Sequence, residues 1–430
     1  MADPVSSVTY AIESTLRALD GDLEDLLPSM AAIVAIIAVI SATYHQLVGR
    51  FPAGGGGPRG VAATFGDGWA FIPLGALLVD FTLTVAVSCA AGASALIAYL
   101  PELEPLRTPI GLALVALVAG GVLLGQLGRV AFALATQLFI VLAIAVIVAG
   151  ALADPAGAGP GQAGAGTPLL SDAALGPVLL AVPLGMALAT GVEAPSDAIA
   201  QLPQLDDRAR RRFGRLTLWL MVGIVGGLTI SFAAVAVHLG TGLPPEDSTL
   251  LAEIARDAFG GGPLFAAFQG ASALLLLSAA ASSYLAGSGL LKALASLGES
   301  QEGLVPRIFA RINRFLVPEW GVAVVLAAAA ILVAAGGHEQ NLVGFYAVAV
   351  FASFLAATIG CARLSHRDRR WGSLTLNLVG AALVAAVLAE NATRLDGAIA
   401  LLASLAVATY LWLAWVRRGR PSGVVGAGTT

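Results

Sequence analysis

Asp80 sits in the middle of LLVDFTLTVAVSCAAG, a run that is otherwise apolar. An ionisable side chain at membrane depth costs about 2.5–3.5 kcal/mol on insertion scales and marks an ion or proton path. Thr82, Thr84 and Ser88 follow it. Asp80, Thr84 and Ser88 are spaced by four, so a helix puts them on one face. A carboxylate with hydroxyls on one face can hold a proton or a cation, or hydrogen-bond a neighbouring helix. A second polar group interrupts another apolar run at Leu188–Asp197, LATGVEAPSD, with Thr190, Gly191, Glu193 and Pro195. Gly and Pro break the helical ladder, and the freed amides and carbonyls must bind something. Such a break in a membrane helix points to a transporter's binding site. A third group is Asp3-Pro4-Val5-Ser6-Ser7-Val8-Thr9-Tyr10, which by itself reads as a capped helix start. Tyr346, in NLVGFYAVAV, either lines a cavity or packs.

Other chemistries lack their residues. The two cysteines, Cys89 and Cys361, exclude a disulfide scaffold and a thiolate metal site. The four histidines, His45, His238, His338 and His366, are far apart and show no metal-ligand spacing. Gly54–Gly57 is followed by Pro58 and Arg59 rather than Lys-Ser/Thr, so it is no phosphate loop; close backbone packing is the expectation. No nucleophile or metal constellation argues for an enzyme. No metal and no cofactor are expected, and nothing in the charge pattern suggests nucleic acid.

The elements that must hold these groups are membrane helices. Of the 430 residues 58% are hydrophobic and 12% charged, with mean hydropathy +0.87. A soluble domain carries about 25% charged residues. Apolar runs near the roughly 20 residues of a bilayer crossing fall at 28–48, 72–100, 108–126, 130–152, 175–200, 214–239, 263–290, 320–337, 340–361, 373–390 and 396–416. Val5–Leu19 precedes them. It is amphipathic, too short to span, and reads as an interfacial helix or half of a broken span. Lys and Arg mark the cytoplasmic ends of spans. Nineteen of the 23 fall in loops of one parity, and only Arg17, Arg107, Arg256 and Arg394 in the other, where Asp20–Asp25, Glu102 and Glu104 lie. This predicts a multi-pass protein of the plasma membrane with a cytoplasmic C-terminus, anchored by Trp412–Arg420. Ala153–Leu175 reads as an extracellular linker, and Leu250–Phe259 as an amphipathic helix on the membrane surface.

Several segments together carry a resemblance. FPAGGGGPRGVAATFG followed by LLVDFTLTVAVSCAAG resembles the amino acid–polyamine–organocation superfamily of permeases, with its glycine motif closing helix 2 and its aspartate motif in helix 3. EGLVPRIFARINRFLVPEWGV is similar to the superfamily's loop between helices 8 and 9, and ATGVEAPSD to its unwound helix 6. DPVSSVTYAIE resembles one branch, which includes bacterial KUP-type potassium–proton symporters. The likeness runs from residue 3 to about 361.

The resemblance implies an all-α membrane protein of LeuT type, two inverted repeats of five helices plus two C-terminal helices. Residues 1–361 would form the transporter core, with repeats at about 1–152 and 175–361. Residues 362–430 would add helices 11 and 12 and a short tail. About 12 helices are implied, with the inner half of helix 1 missing before Asp3, which raises the question whether Met1 is the true start. Asp3 and Tyr10 of helix 1 would face Asp80 of helix 3 and Thr190, Gly191 and Glu193 of helix 6, with Thr84 and Tyr346 also lining the substrate or ion site. Phe81 stands where the potassium branch has Tyr, which removes one hydroxyl. The implied function is proton-coupled uptake of an amino acid or related small polar solute by alternating access, with Asp80 or Asp3 carrying the proton. The alternatives are potassium–proton symport and a non-transporting truncated homologue. The partners are then the lipid bilayer, a small solute (amino acid or K⁺) and protons, with a homodimer possible.

Overall fold

The computed structural model describes residues 2–125, 127–154, 172–199, 202, 204–296 and 303–421. All regular secondary structure among them is helical. Two short helices, α1 (Ala2–Ser6) and α2 (Val8–Ala18), open the chain and meet at Ser7. They are followed by α3 (Leu26–Arg50), α4 (Gly56–Phe65), α5 (Phe71–Tyr99), α6 (Arg107–Leu123) and α7 (Leu127–Leu152). The second half comprises α8 (Asp172–Gly185), α9 (Ala194–Ala198), α10 (Asp207–Leu239), α11 (Leu250–Phe259), α12 (Pro263–Ala295), α13 (Glu319–Gly336), α14 (Glu339–Arg367), α15 (Trp371–Ala392) and α16 (Leu395–Arg417).

Among the described residues, eleven helical segments are long and apolar enough to cross a membrane. They overlap the eleven apolar runs, with most ends within five residues of the expected ones; α10 begins seven residues before the run 214–239 and α14 continues six beyond 340–361, because a helix continues through a basic or capped end that hydropathy does not count. The span at Gly176–Ser196 is not one helix: α8 tightens into a 3-10 turn at Met186–Ala189, unwinds, and restarts as α9. The proposed linker residues 155–171 and the side chain of Arg129 lie outside the described residues.

The first segment departs from an interfacial helix. Val5, Val8, Tyr10, Ile12 and Leu16 are buried, as are the polar Ser7, Glu13 and Thr15. Both faces of α2 are therefore covered by protein, and it contacts α8, α3, α10, α11 and α14. Likewise α11 has the expected bounds but is no surface helix. Leu250, Leu251, Ile254 and Ala255 are buried, and it packs on α7, α12, α10 and α2. An amphipathic pattern shows that one face is apolar, not whether lipid or protein covers it.

α5 is the central pillar. It packs against α12, α14, α16, α6 and α13 and is buried along most of its length. α13, α15 and α16 keep large apolar side chains exposed, among them Ile331, Leu378, Leu395 and Leu402. In a protein of this composition those are lipid-facing surfaces. At the glycine run, α4 begins at Gly56, and Gly57 lies against Tyr44 and Ala357, as close packing requires. The loops sort to two ends. At one, Arg50 pairs with Asp368 at 2.7 Å and Arg363 lies over Phe65. At the other, Glu13 accepts from the Leu250 amide, and Arg256 donates to the Ala98 carbonyl.

Candidate substrate site at the broken helices

The site forms where two chain breaks meet. Thr190 is extended, with φ −62° and ψ 144°, after the 3-10 turn. Gly191 has φ +77°, a conformation that costs an L side chain about 1–2 kcal/mol. A Cβ there would lie 2.8 Å from Pro4 Cγ and 3.1 Å from Asp3 Oδ2. Glycine at this position therefore serves two purposes, turning the chain out of the helix and letting it approach α1. The break at Ser7 opposes it. Ser7 Oγ and Thr190 Oγ1 are 2.7 Å apart, and Ser7 Oγ lies 3.1 Å from the Tyr10 hydroxyl.

The helix α5 supplies the third wall. Asp80, Thr84 and Ser88 are all buried on one face, as their spacing requires. Thr84 Oγ1 donates to the Asp80 carbonyl at 2.9 Å and lies 3.0 Å from the Tyr346 hydroxyl of α14. The rings of Tyr346 and Tyr10 meet edge to face, 6.4 Å between centroids. Asp3 and Glu193 lie close enough to Asp80 for their charges to repel. The structure thus brings together all eight residues expected from the sequence and its resemblance: Asp3, Tyr10, Asp80, Thr84, Thr190, Gly191, Glu193 and Tyr346. It places Phe81 elsewhere on α5, with its Cβ against Gly287 of α12.

Among the described residues, Asp3 and Asp80 have no basic side chain paired with them. One carboxylate oxygen of each, and the Ser88 hydroxyl, are buried without a hydrogen-bond partner among those residues. Buried acceptors left bare are costly, and an isolated buried carboxylate more so. The acids do not converge as metal ligands: no group of three His, Cys, Asp or Glu among the described residues does. The arrangement suits a proton or a weakly held monovalent cation better than a divalent ion, which needs a tighter oxygen cage.

A second polar cluster, towards the end of the bundle that holds Glu13, has no counterpart in the sequence reading. Arg107 donates to Ser94, Ser94 donates to Glu339 Oε2, and Arg107 also reaches the Glu246 carbonyl. Glu13, paired with Arg17 at 2.9 Å, is buried nearby, as is Glu339. Gln340 accepts from Ser14 at 2.6 Å. The latch ties α2, α5, α6 and α14 to the loop before α11, above a cavity of about 450 Å³ that Arg17, Arg107 and His338 line. Arg107 and Glu339 stand at span ends, where charged residues are ordinary. Only burial distinguishes them, and sequence does not reveal it.

Residues 22–414 match the family model described as amino acid permease. That range begins after α2, so Asp3 and Tyr10 lie outside it. "Potassium transporter KimA" of Bacillus subtilis (strain 168) is 29% identical over 397 residues, covering 88% of this chain. The chain spans 63% of that relative's length.

Proposed function

The chain belongs to the amino acid permease family, within the amino acid–polyamine–organocation superfamily, and from this premise we propose that it is a secondary transporter whose buried site carries a small monovalent cation, potassium first, together with protons. The supporting observation is the pair of buried carboxylates, Asp3 and Asp80, without a cationic partner among the described residues. In a low-dielectric interior such charge is neutralised by a proton or by a bound cation. With two carboxylates in one site, one can take the proton while the other holds the cation, and moving both together couples their transport. The hydroxyls of Tyr10, Thr84, Thr190 and Tyr346 supply neutral oxygens that can replace an ion's water. The name of the relative points to the same ion.

In this reading α1, α2, α8 and α9 form the moving bundle, and the LeuT-type repeat supplies a scaffold against which it rocks. The Ser7–Thr190 contact joins the two broken helices, so they move as a unit. Loop charge orients the C-terminus to the cytoplasm in the plasma membrane. The residue ranges of the core, about 1–361, and of the two added helices belong to the same proposal.

A second reading is amino acid uptake. It rests on the family description and on the break in the helix at Thr190–Glu193, beside which the N-terminus of a restarting helix favours a substrate carboxylate. Uptake into proteoliposomes under an imposed pH gradient, with rubidium as potassium tracer and labelled amino acids side by side, decides. Rubidium entry driven by the gradient supports the cation reading. Amino acid entry alone replaces it with the second, and entry of neither supports a non-transporting homologue.

A further inference from the structure

We propose that a basic cavity between α3, α10 and the turn joining α14 to α15 binds the phosphate of an anionic phospholipid headgroup. The cavity is about 470 Å³ and is lined by His45, Gln46, Gly49, Arg50, Arg215 and Arg370, with Asp368 as its one acid. It lies at the end of the bundle where the Arg50–Asp368 pair joins the ends of α3 and α14. That pair neutralises Arg50. Arg215 places Nε on the His45 carbonyl at 3.4 Å and has no ion pair among the described residues, and the Arg370 side chain has no partner there at all. Two guanidinium groups therefore face one cavity with most of their donors unused. Paired guanidinium forks suit phosphate geometry.

The backbone is shaped for this arrangement. Gly49 presents bare α3 backbone to Arg215. A Cβ at position 49 would collide with the guanidinium, lying 3.1 Å from Cζ and closer still to Nη2. His45 is fixed in turn by Trp219, whose indole N–H donates to His45 Nδ1 at 3.1 Å.

The rest of α10 identifies the source of the phosphate. Trp219 lies four residues beyond Arg215, one turn along the same face of α10, and is exposed beside the cavity. Trp concentrates at the bilayer interface. Inorganic phosphate has no use for an exposed indole. A phospholipid uses both parts, with its headgroup in the cavity and its glycerol end against Trp219. Basic pockets between membrane helices are a recognised form of headgroup site.

The test is native mass spectrometry of the purified full chain in detergent, titrated with phosphatidylglycerol or phosphatidylcholine, with inorganic phosphate as competitor. Phosphatidylglycerol should bind in preference to phosphatidylcholine and resist phosphate. R215Q/R370Q should weaken it roughly tenfold or more, since each such hydrogen bond to a charged group is worth a factor of that order. G49A removes no charge but displaces Arg215, and should weaken binding as well. R311Q, in the loop between α12 and α13, should leave binding unchanged. Equal binding by R215Q/R370Q and the unaltered chain overturns the proposal. So does equal loss in R311Q, which would reveal a diffuse basic face, or displacement by phosphate without lipid preference, which would reveal a soluble-anion site. Gel filtration and thermal unfolding establish that each variant is folded, and G49A keeps the test decisive if R215Q/R370Q is not.

Discussion

Asp80 was legible as a candidate site residue because a carboxylate in an apolar run has no cheap structural role there. Its partners were less legible. Thr190 and Tyr346 are ordinary residues until the fold sets them beside it. Asp80→Asn keeps the size and removes the charge, so uptake should fall to the background of empty vesicles while thermal unfolding barely shifts; unchanged uptake ends the proposed role. Gly191→Ala meets both a positive φ and the Pro4 and Asp3 side chains. It should cost about 1–3 kcal/mol of stability, and an unaltered thermal transition would show that the chain turns there without glycine. His338, between two spans, has its pKa pushed down to about 4 by burial, with the Arg107 charge adding to it. It is therefore neutral, and its Nδ1 accepts the Gln340 amide at 3.2 Å rather than forming an ion pair with nearby Glu339. The unfolded chain binds this proton near its ordinary pKa of about 6.5, the folded chain only near 4. Stability should accordingly fall as pH drops from about 6.5 towards 4 and be indifferent to this group above that range. Unfolding followed across that window should show the loss reduced in His338→Gln, and an identical profile in both would assign it to other groups.

At the scale of elements, hydropathy located every long helix among the described residues, because lipid demands about 20 apolar residues whatever the neighbours are. It did not locate the latch. Arg107 and Glu339 each close a span end in sequence, yet the fold buries both and joins them through Ser94. Removing one partner from a buried charged network costs about 3–5 kcal/mol, so Arg107→Met should lower the unfolding transition by that order. A loss of about 0–1 kcal/mol, the worth of a surface pair, would mean that water reaches the latch. The same limit explains α2 and α11. Their apolar faces were visible, but a face covered by lipid and one covered by other helices have the same pattern.

For the whole molecule, the charge asymmetry of the loops makes a prediction about placement. Reporter fusions should find the C-terminus and the loop before α10 on the cytoplasmic side, and the loop before α11 on the other. A cytoplasmic reporter before α11 would reverse the proposed orientation. The structure sorts the same loops to two opposite ends without reference to a membrane, which is an independent check on their parity. The sequence alone determined that this is a multi-pass helical protein, where its spans run, and that a carboxylate and a broken helix lie within them. These follow from local costs: apolar length, buried charge, and Gly and Pro in a helical ladder. Only the tertiary structure decided that Ser7 touches Thr190, that Asp3 and Asp80 lie buried without a basic side-chain partner among the described residues, and that Arg215 lies over Gly49 without an ion pair among them. Those facts depend on which helices are neighbours, and burial and charge compensation are properties of neighbours rather than of any one segment.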